Sequence, residues 1–120
     1  MMRAVAFCLM LSVAGTGLAA DAFKKLSGQQ VRSRLAGMEI TDGVHWAELY
    51  NKDGSLTQWA MGRKYLGTWT LQGDELCTSI PKRETQCREV WISAGNKIEF
   101  RTPGIDLAVD GKLIKQQPRP

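Results

Sequence analysis

Cys77 and Cys87 are the residues whose type and spacing most directly predict chemistry. The runs around them, Glu75–Ile80 and Gln86–Ser93, are rich in β-branched and aromatic residues, which favours two strands. If the cysteines lie opposite each other on an antiparallel pair, the turn falls near Lys82. A bridge across so short a loop contributes about 2–3 kcal/mol, mostly by restricting the unfolded chain. The alternative is a pair of free, buried thiols, and the compartment decides between the two.

The N-terminus predicts an oxidising compartment. Residues 1–20 contain one early positive charge, an apolar run and then small residues, a pattern typical of a secretory signal peptide and too short for a membrane span. Cys8 lies in the apolar run and is removed with the peptide, whichever alanine precedes the cut: Ala19, Ala20 or Ala22. The even number of cysteines that remains favours the disulfide. We therefore predict a periplasmic or secreted protein.

The rest of the chain is long enough for one domain. The sequence has 120 residues and a net charge of +4, and residues 21–115 form the predicted domain. Residues 116–120 are polar and proline-rich, which predicts a disordered tail. The basic excess is mild, and no run of Lys and Arg exceeds two residues. This predicts an ordinary solubilising surface, although attraction to anionic envelope polymers or an acidic partner is an alternative. We expect no nucleic acid partner.

Catalytic and metal-binding patterns are absent from the sequence. His45 is the one histidine, and it has no Cys, Asp or Glu at metal-ligand spacing; a solvent-facing strand residue is the simpler interpretation. The segment 51–55 resembles part of a calcium loop but lacks the later glutamate. There is no serine-nucleophile elbow, phosphate loop or C-x-x-C pair. We therefore predict no enzymatic activity, no metal and no cofactor.

Two features are candidates for binding. The first is the loop 81–84, which carries Lys82 and Arg83 and would be held rigid at its base by the disulfide. Its alternative is a solvated hairpin end. The second is the set of four tryptophans, of which Trp59 and Trp69 are candidates to line a ligand-binding mouth. The alternative for the tryptophans is that they fill a small core.

The elements that must position these residues are a short helix and a series of strands. Ser27 and Gln30 have the spacing of a capping box, which predicts a helix over 28–36 that ends at Gly37. Its apolar face must dock on something because so short a helix is not stable alone. Strands are predicted by alternating runs and glycine-containing turns: 38–41, 45–50, 55–61, 66–71, 75–80, 86–93, 97–101, 105–109 and 112–115. The last two would flank a hairpin turn at Asp110-Gly111.

Short strands joined by tight turns predict an all-β fold. A small antiparallel meander hides one apolar face best by curling into a barrel or half-barrel, with the short N-terminal helix as a plug or lid at one end. The order of glycines, Trp69 and the cysteine pair resembles a group of small exported proteobacterial proteins, mostly without assigned function. The Gly67-x-Trp69 triplet also resembles the G-x-W of calycin barrels, which implies a calycin-like fold.

Two functions are compatible with these patterns. The first is an exported binding or inhibitor module that acts through contact with an envelope or secreted protein. This follows a fold-level analogy with small disulfide-bonded barrels that block lysozymes. The second is a lipocalin-like carrier of a small apolar ligand. They differ in whether the interior of the barrel is filled or hollow.

Overall fold

The structure, a computed structural model, describes residues 22–119. The signal peptide predicted for residues 1–20 lies outside this range. One helix and nine strands follow along the described residues: β1 Lys24–Lys25, α1 Gly28–Leu35, β2 Met38–Thr41, β3 Trp46–Tyr50, β4 Ser55–Ala60, β5 Arg63–Gln72, β6 Glu75–Ser79, β7 Gln86–Ile92, β8 Lys97–Arg101 and β9 Ala108–Lys115.

The strands form a closed barrel, which confirms the predicted fold class. From β2 to β9 each strand pairs antiparallel with the next, and β9 pairs back with β2 to complete eight strands. Strand β1 is an addition to this barrel, and it pairs with Trp91 and Ile92 at the end of β7. Strand β1 lies on the same side of β7 as β6 and continues beyond the start of β6, where Glu75 pairs with Glu89. The barrel therefore leaves no unpaired edge between β2 and β9.

Helix α1 covers one end of the barrel. The predicted capping box is present: Ser27 Oγ accepts from the Gln30 backbone N–H, and Gln30 Oε1 accepts from the Ser27 N–H. Val31 and Leu35 are completely buried. The N–H of Gly28 donates to Asp74 Oδ1 at 2.8 Å, which fixes the helix to the β5–β6 turn. These contacts support the predicted position of the helix as a plug, and we call this the closed end.

Because consecutive strands are antiparallel, alternate connections lie at opposite ends of the barrel. The closed end carries the connections 51–54, 73–74 and 93–96. The other end, which we call the open end, carries the β2–β3, β4–β5, β6–β7 and β8–β9 connections, residues 42–45, 61–62, 80–85 and 102–107. The helix packs on the closed end through contacts with β2, β5 and β6.

The apolar core fills the half of the interior nearer the closed end. Trp69 packs edge-on against Tyr50, with ring centres 5.8 Å apart, and its Nε1 donates to the Asn51 carbonyl. The other buried apolar side chains come from the helix and all sides of the barrel: Leu26, Val31, Leu35, Ile40, Leu56, Leu76, Val90, Ile92, Ile98, Phe100 and Leu113. Trp69 is therefore a core residue, as the alternative interpretation of the tryptophans predicts, and it does not line a ligand-binding mouth.

The predicted hairpin at Asp110-Gly111 is wrong. Both residues lie inside the continuous strand β9. A Cβ atom at Gly111 would lie 2.8 Å from Ile40 Cγ2 and 3.0 Å from Trp46 Cη2. Glycine inside a strand can mark a close approach instead of a turn, and here it makes room for an indole ring. A real two-residue turn lies at Met61-Gly62, which shortens β4 by one residue and starts β5 at Arg63.

The C-terminal segment lies along the outer wall of the barrel. Arg119 forms an ion pair with Glu39, with 2.8 Å between Nη2 and Oε2, and stacks over Trp59. The Gln117 N–H also donates to Glu39, at 3.4 Å. Glu39 points outward in β2 yet is completely buried, because this segment covers it. Gln117 and Arg119, in the predicted disordered tail, thus contact β2, and Arg119 also contacts β4.

Candidate functional site

A cavity of about 350 Å³ opens inside the barrel at the open end. Seven of the eight residues that line it are polar or charged, and the eighth is Ile80. The lining residues are Glu48, Gln58, Thr78, Ile80, Arg83, Glu84, Gln86 and Arg88. Its volume lies within the range of small-ligand sites in proteins. The barrel interior is therefore apolar and filled near the helix, and polar and hollow near the open end.

Strand geometry explains why these polar side chains point inward. Residues two apart on a strand share a face, and four of the lining residues lie two positions from a core residue of the same strand. These pairs are Glu48 with Tyr50, Gln58 with Leu56, Thr78 with Leu76, and Arg88 with Val90. Within each of these pairs, the polar residue is the one nearer the open end.

Glu48 is the buried acidic group of the cavity. Its side chain is 5% exposed, and its Oε2 accepts a hydrogen bond of 2.8 Å from the Tyr50 hydroxyl. Burial raises the pKa of Tyr50 well above its usual range, and the charge of Glu48 raises it further. The tyrosine therefore stays protonated at ordinary pH and donates its hydroxyl proton to Glu48.

Arg88 is the basic group of the cavity and has an unsatisfied donor. Its guanidinium lies 4.2 Å from the centre of the Phe100 ring. Its Nε is buried and has no hydrogen-bond partner among the described residues. A buried donor without a partner costs about 1–3 kcal/mol. Arg88 therefore presents donor capacity that the barrel itself does not use.

The β6–β7 loop forms one rim of the cavity and is braced at several points. Cys77 and Cys87 are register partners, and a disulfide joins them, as predicted. Ser79 and Thr85 share a hydrogen bond of 2.8 Å across the base of the loop. Arg83 donates to Gln58 Oε1 at 3.1 Å. The same guanidinium lies 4.2 Å from the centre of the Tyr65 ring on β5.

The other connections at the open end present large apolar side chains to solvent. These are Val44 in the β2–β3 connection, Met61 in the β4–β5 turn, and Ile105 and Leu107 in the β8–β9 connection; their exposed fractions are 82%, 91%, 57% and 78%. Of the other exposed large apolar residues of the described chain, Val109 lies at the start of β9 and Leu66 lies on the wall. The open end thus combines an apolar rim with a charged loop.

Asp42 orders the β2–β3 connection. Its Oδ1 accepts from the N–H groups of Val44, His45 and Trp46, and its Oδ2 lies 2.8 Å from His45 Nδ1. Desolvation acts to raise the pKa of Asp42, but these hydrogen bonds outweigh it and hold the pKa well below the usual range. His45 is exposed, and it lies in this connection next to Val44, not in a strand. Sequence spacing did not identify its pairing with Asp42.

The four residues predicted to bind do not come together. Arg83 lines the cavity, whereas Lys82 is exposed beside it and adopts a left-handed conformation with φ 68°. Trp69 lies in the core. Trp59 lies on the outer wall, where it lines a groove of about 500 Å³ between the C-terminal segment and the β2–β3 connection. Neither tryptophan lines the cavity.

Sequence analysis does not identify the main cavity residues, Glu48 and Arg88. Both lie in runs that mix polar and apolar residues, and only the register shows that they face the interior. The available indication is the spacing of two to a core residue, because Glu48 is two residues before Tyr50 and Arg88 two before Val90.

Residues 22–119 contain no group of three or more His, Cys, Asp or Glu side chains placed to hold a metal ion. Within the same range, no helix has the length and apolar character needed to cross a membrane. Comparisons of the chain with models of protein families, with curated proteins and with solved structures each found no match.

Proposed function

We propose that this protein is a small exported binding module that acts through contact with an envelope or secreted protein at the open end of its barrel. The observation that carries the proposal is the set of large apolar side chains exposed on three connections of that end, with Met61 at 91% exposure. Exposed apolar groups concentrated in one region of a small domain are typical of interaction surfaces.

The braced β6–β7 loop supports the same surface. A loop that is already ordered loses little conformational entropy when it docks, so more of its contact energy contributes to affinity. Arg83 is held by Gln58 and Tyr65, whereas Lys82 is exposed beside it. The contact would therefore combine apolar burial from Val44, Met61 and Leu107 with charge recognition from Lys82.

The conformation of Met61 also supports a role in contact. Met61 and Gly62 both have positive φ, 53° and 73°, as in the two-residue turns that favour Asn-Gly. A methionine in this conformation is strained, and its side chain packs on nothing that repays the strain within the fold. Burial against a partner would give that side chain a favourable environment.

Export is supported by the signal-peptide pattern of residues 1–20 and by the Cys77–Cys87 disulfide. Disulfides persist in the periplasm and outside the cell, where thiols are not kept reduced. The proposed location is therefore the periplasm or the secreted fraction. We propose binding instead of catalysis, with no cofactor.

The proposal can be tested by affinity capture from an envelope extract with three forms of the protein. The first is wild type, the second carries Met61→Asn with Leu107→Ser, and the third carries Leu66→Ser. Leu66 is a matched control because it is 66% exposed but lies on the barrel wall. We expect wild type and the control to retain one partner that the double variant loses. Equal capture by all three forms, or no specific partner, would reject the proposal.

The second candidate function is that of a carrier of a small ligand. The cavity at the open end favours it, because a space of about 350 Å³ is available inside the barrel. Seven of its eight lining residues are polar or charged, which supports a polar ligand more than the apolar ligand that the lipocalin resemblance implied. The apolar half of the interior is occupied by the core.

A further inference from the structure

We infer that the cavity at the open end binds a small zwitterionic molecule, whose carboxylate pairs with Arg88 and whose ammonium group pairs with Glu48. This inference rests on the carrier form of the proposed function and specifies its ligand class. It does not depend on the contact with a protein partner.

The two charged groups line the cavity from opposite sides of the barrel and form no ion pair with each other. Glu48 is on β3 and Arg88 is on β7, four strands away in the ring of eight, so they lie on opposite sides of the barrel. Both line the cavity, yet no ion pair joins them within residues 22–119. Opposite charges that share a cavity but remain apart can be bridged by a ligand that carries both signs.

Arg88 is suited to a carboxylate. Its guanidinium stacks on the face of Phe100, and the Nε donor is unused. A carboxylate can accept two parallel hydrogen bonds from a guanidinium, including one from Nε, which makes this pairing stronger than one with a neutral acceptor. The stacking on Phe100 fixes the plane of the guanidinium and thus the direction from which the ligand must approach.

Glu48 is suited to an ammonium group. The Tyr50 hydroxyl holds one of its oxygens, Oε2, while the other has no hydrogen-bond partner among the described residues. The tyrosine thereby orients the carboxylate and leaves one oxygen for the ligand. Burial raises the pKa of Tyr50, so the hydroxyl keeps the proton that it donates to Glu48.

The charge balance of the cavity disfavours ligands that carry a single sign of charge. At the rim of the cavity, Arg83 and Glu84 carry opposite charges, as Arg88 and Glu48 do deeper in the barrel. A simple anion would bind Arg88 but meet the carboxylate of Glu48, and a simple cation would meet the guanidinium. Inside a partly desolvated cavity such repulsion is stronger than in water. A zwitterion satisfies both groups, and Gln58, Thr78 and Gln86 supply further polar contacts.

The inference can be tested by following the Arg88 Nε–Hε signal in NMR titrations of the full domain. The probes are L-alanine, N-acetyl-L-alanine, which lacks the ammonium group, and L-alaninamide, which lacks the carboxylate. L-alanyl-L-alanine separates the two charges further and distinguishes a free amino acid from a short peptide as the natural source. We expect L-alanine or the dipeptide to shift the signal and to bind at least about tenfold more tightly than either blocked alanine. The inference would be overturned if neither L-alanine nor L-alanyl-L-alanine saturated the signal. It would also be overturned if N-acetyl-L-alanine or L-alaninamide bound as tightly as the zwitterions.

Variants provide a second measurement. We expect Arg88→Gln and Glu48→Gln each to abolish binding of the zwitterion that wild type binds. Arg101→Gln is the matched control, because Arg101 also stacks on an aromatic ring, Trp91 at 3.9 Å, but lies on the outer face and pairs with Glu99. If Arg88→Gln does not fold, Glu48→Gln and the wild-type titrations decide the matter. Zwitterion binding without capture of a protein partner would reject only the proposal of contact with a partner. Capture of a partner without zwitterion binding would reject only this inference.

Discussion

The guanidinium of Arg88 lies 4.2 Å from the centre of the Phe100 ring inside the barrel, and its Nε donates to no described group. Arg101 makes a similar stack on Trp91 outside the barrel, but Glu99 accepts from its Nε at 2.9 Å. Two arginines on neighbouring strands thus have the same aromatic support and differ in their hydrogen bonding. The satisfied arginine belongs to the wall, and the unsatisfied one faces the cavity.

Met61→Asn should stabilise the protein while it weakens partner capture. Asparagine adopts positive φ more readily than methionine, and Asn-Gly is the preferred pair for this type of turn. We expect the free energy of unfolding to rise by about 1 kcal/mol, measured by urea denaturation. Met61→Ala serves as the control, because it removes the side chain without the advantage of asparagine. A destabilised Asn variant would contradict the conformational explanation.

Gly67→Ala should destabilise the barrel. A Cβ atom at Gly67 would collide with the backbone carbonyl of Ser79 on β6, so the strands must move apart. Overpacking of this kind costs about 1–3 kcal/mol. Gly95→Ala is the matched control, since its Cβ would meet nothing closer than 3.9 Å. Thermal melting of both variants should show a loss at Gly67 alone; similar melting of the two would contradict the close approach.

Arg83→Ala should increase the mobility of the β6–β7 loop, whereas Lys82→Ala should not. The first substitution removes the hydrogen bond to Gln58 and the stack on Tyr65. An exposed cation–π contact contributes only about 0.5–1 kcal/mol, so global stability should change little. Amide hydrogen exchange of residues 80–85 is the appropriate measurement. Unchanged exchange in Arg83→Ala would show that the brace does not order the loop.

Reduction of the Cys77–Cys87 bridge should lower the free energy of unfolding by about 2–3 kcal/mol without unfolding the protein. The loop it closes is short, and the β6–β7 ladder and the Ser79–Thr85 hydrogen bond remain after reduction. Urea denaturation with and without a reductant measures the difference. Complete unfolding on reduction would show that the bridge holds the barrel together and not only its loop.

Acid should destabilise the wild type through Asp42. Its folded pKa is lowered, so its contribution to stability is present above about pH 4, the ordinary value of the carboxyl, and decreases as the pH falls further. Asp42→Asn has no carboxyl to protonate, so we expect lower stability at pH 7 and a weaker dependence on pH below about pH 4. Melting temperatures at several pH values test this. Identical slopes in the two proteins would contradict the assignment.

The sequence was sufficient to predict local features. The capping box at Ser27 and the cross-strand cysteines depend on short-range spacing, and both are present. Ile98 and Phe100 alternate with charged residues in the predicted strand 97–101, and both side chains lie in the core. Such features need no knowledge of the barrel, because the residues that determine them are neighbours along the chain or on one hairpin.

The cavity could not be predicted in this way because its walls come from strands that are distant in the sequence. Glu48 and Arg88 face each other only because β9 pairs back with β2 and closes the sheet. The prediction of a turn at Asp110-Gly111 was wrong because it also depends on a residue from a distant strand. The glycine accommodates Trp46 from another strand, and local propensity contains no information about that contact.

The measurement that tests the central claim most directly is hydrogen–deuterium exchange of the protein bound to the partner captured from the envelope. Binding at the open end predicts slower exchange in the four connections there, residues 42–45, 61–62, 80–85 and 102–107. Exchange at the closed end, around α1, should not change. Protection confined to the closed end, or to the outer groove between Trp59 and the C-terminal segment, would contradict the claim.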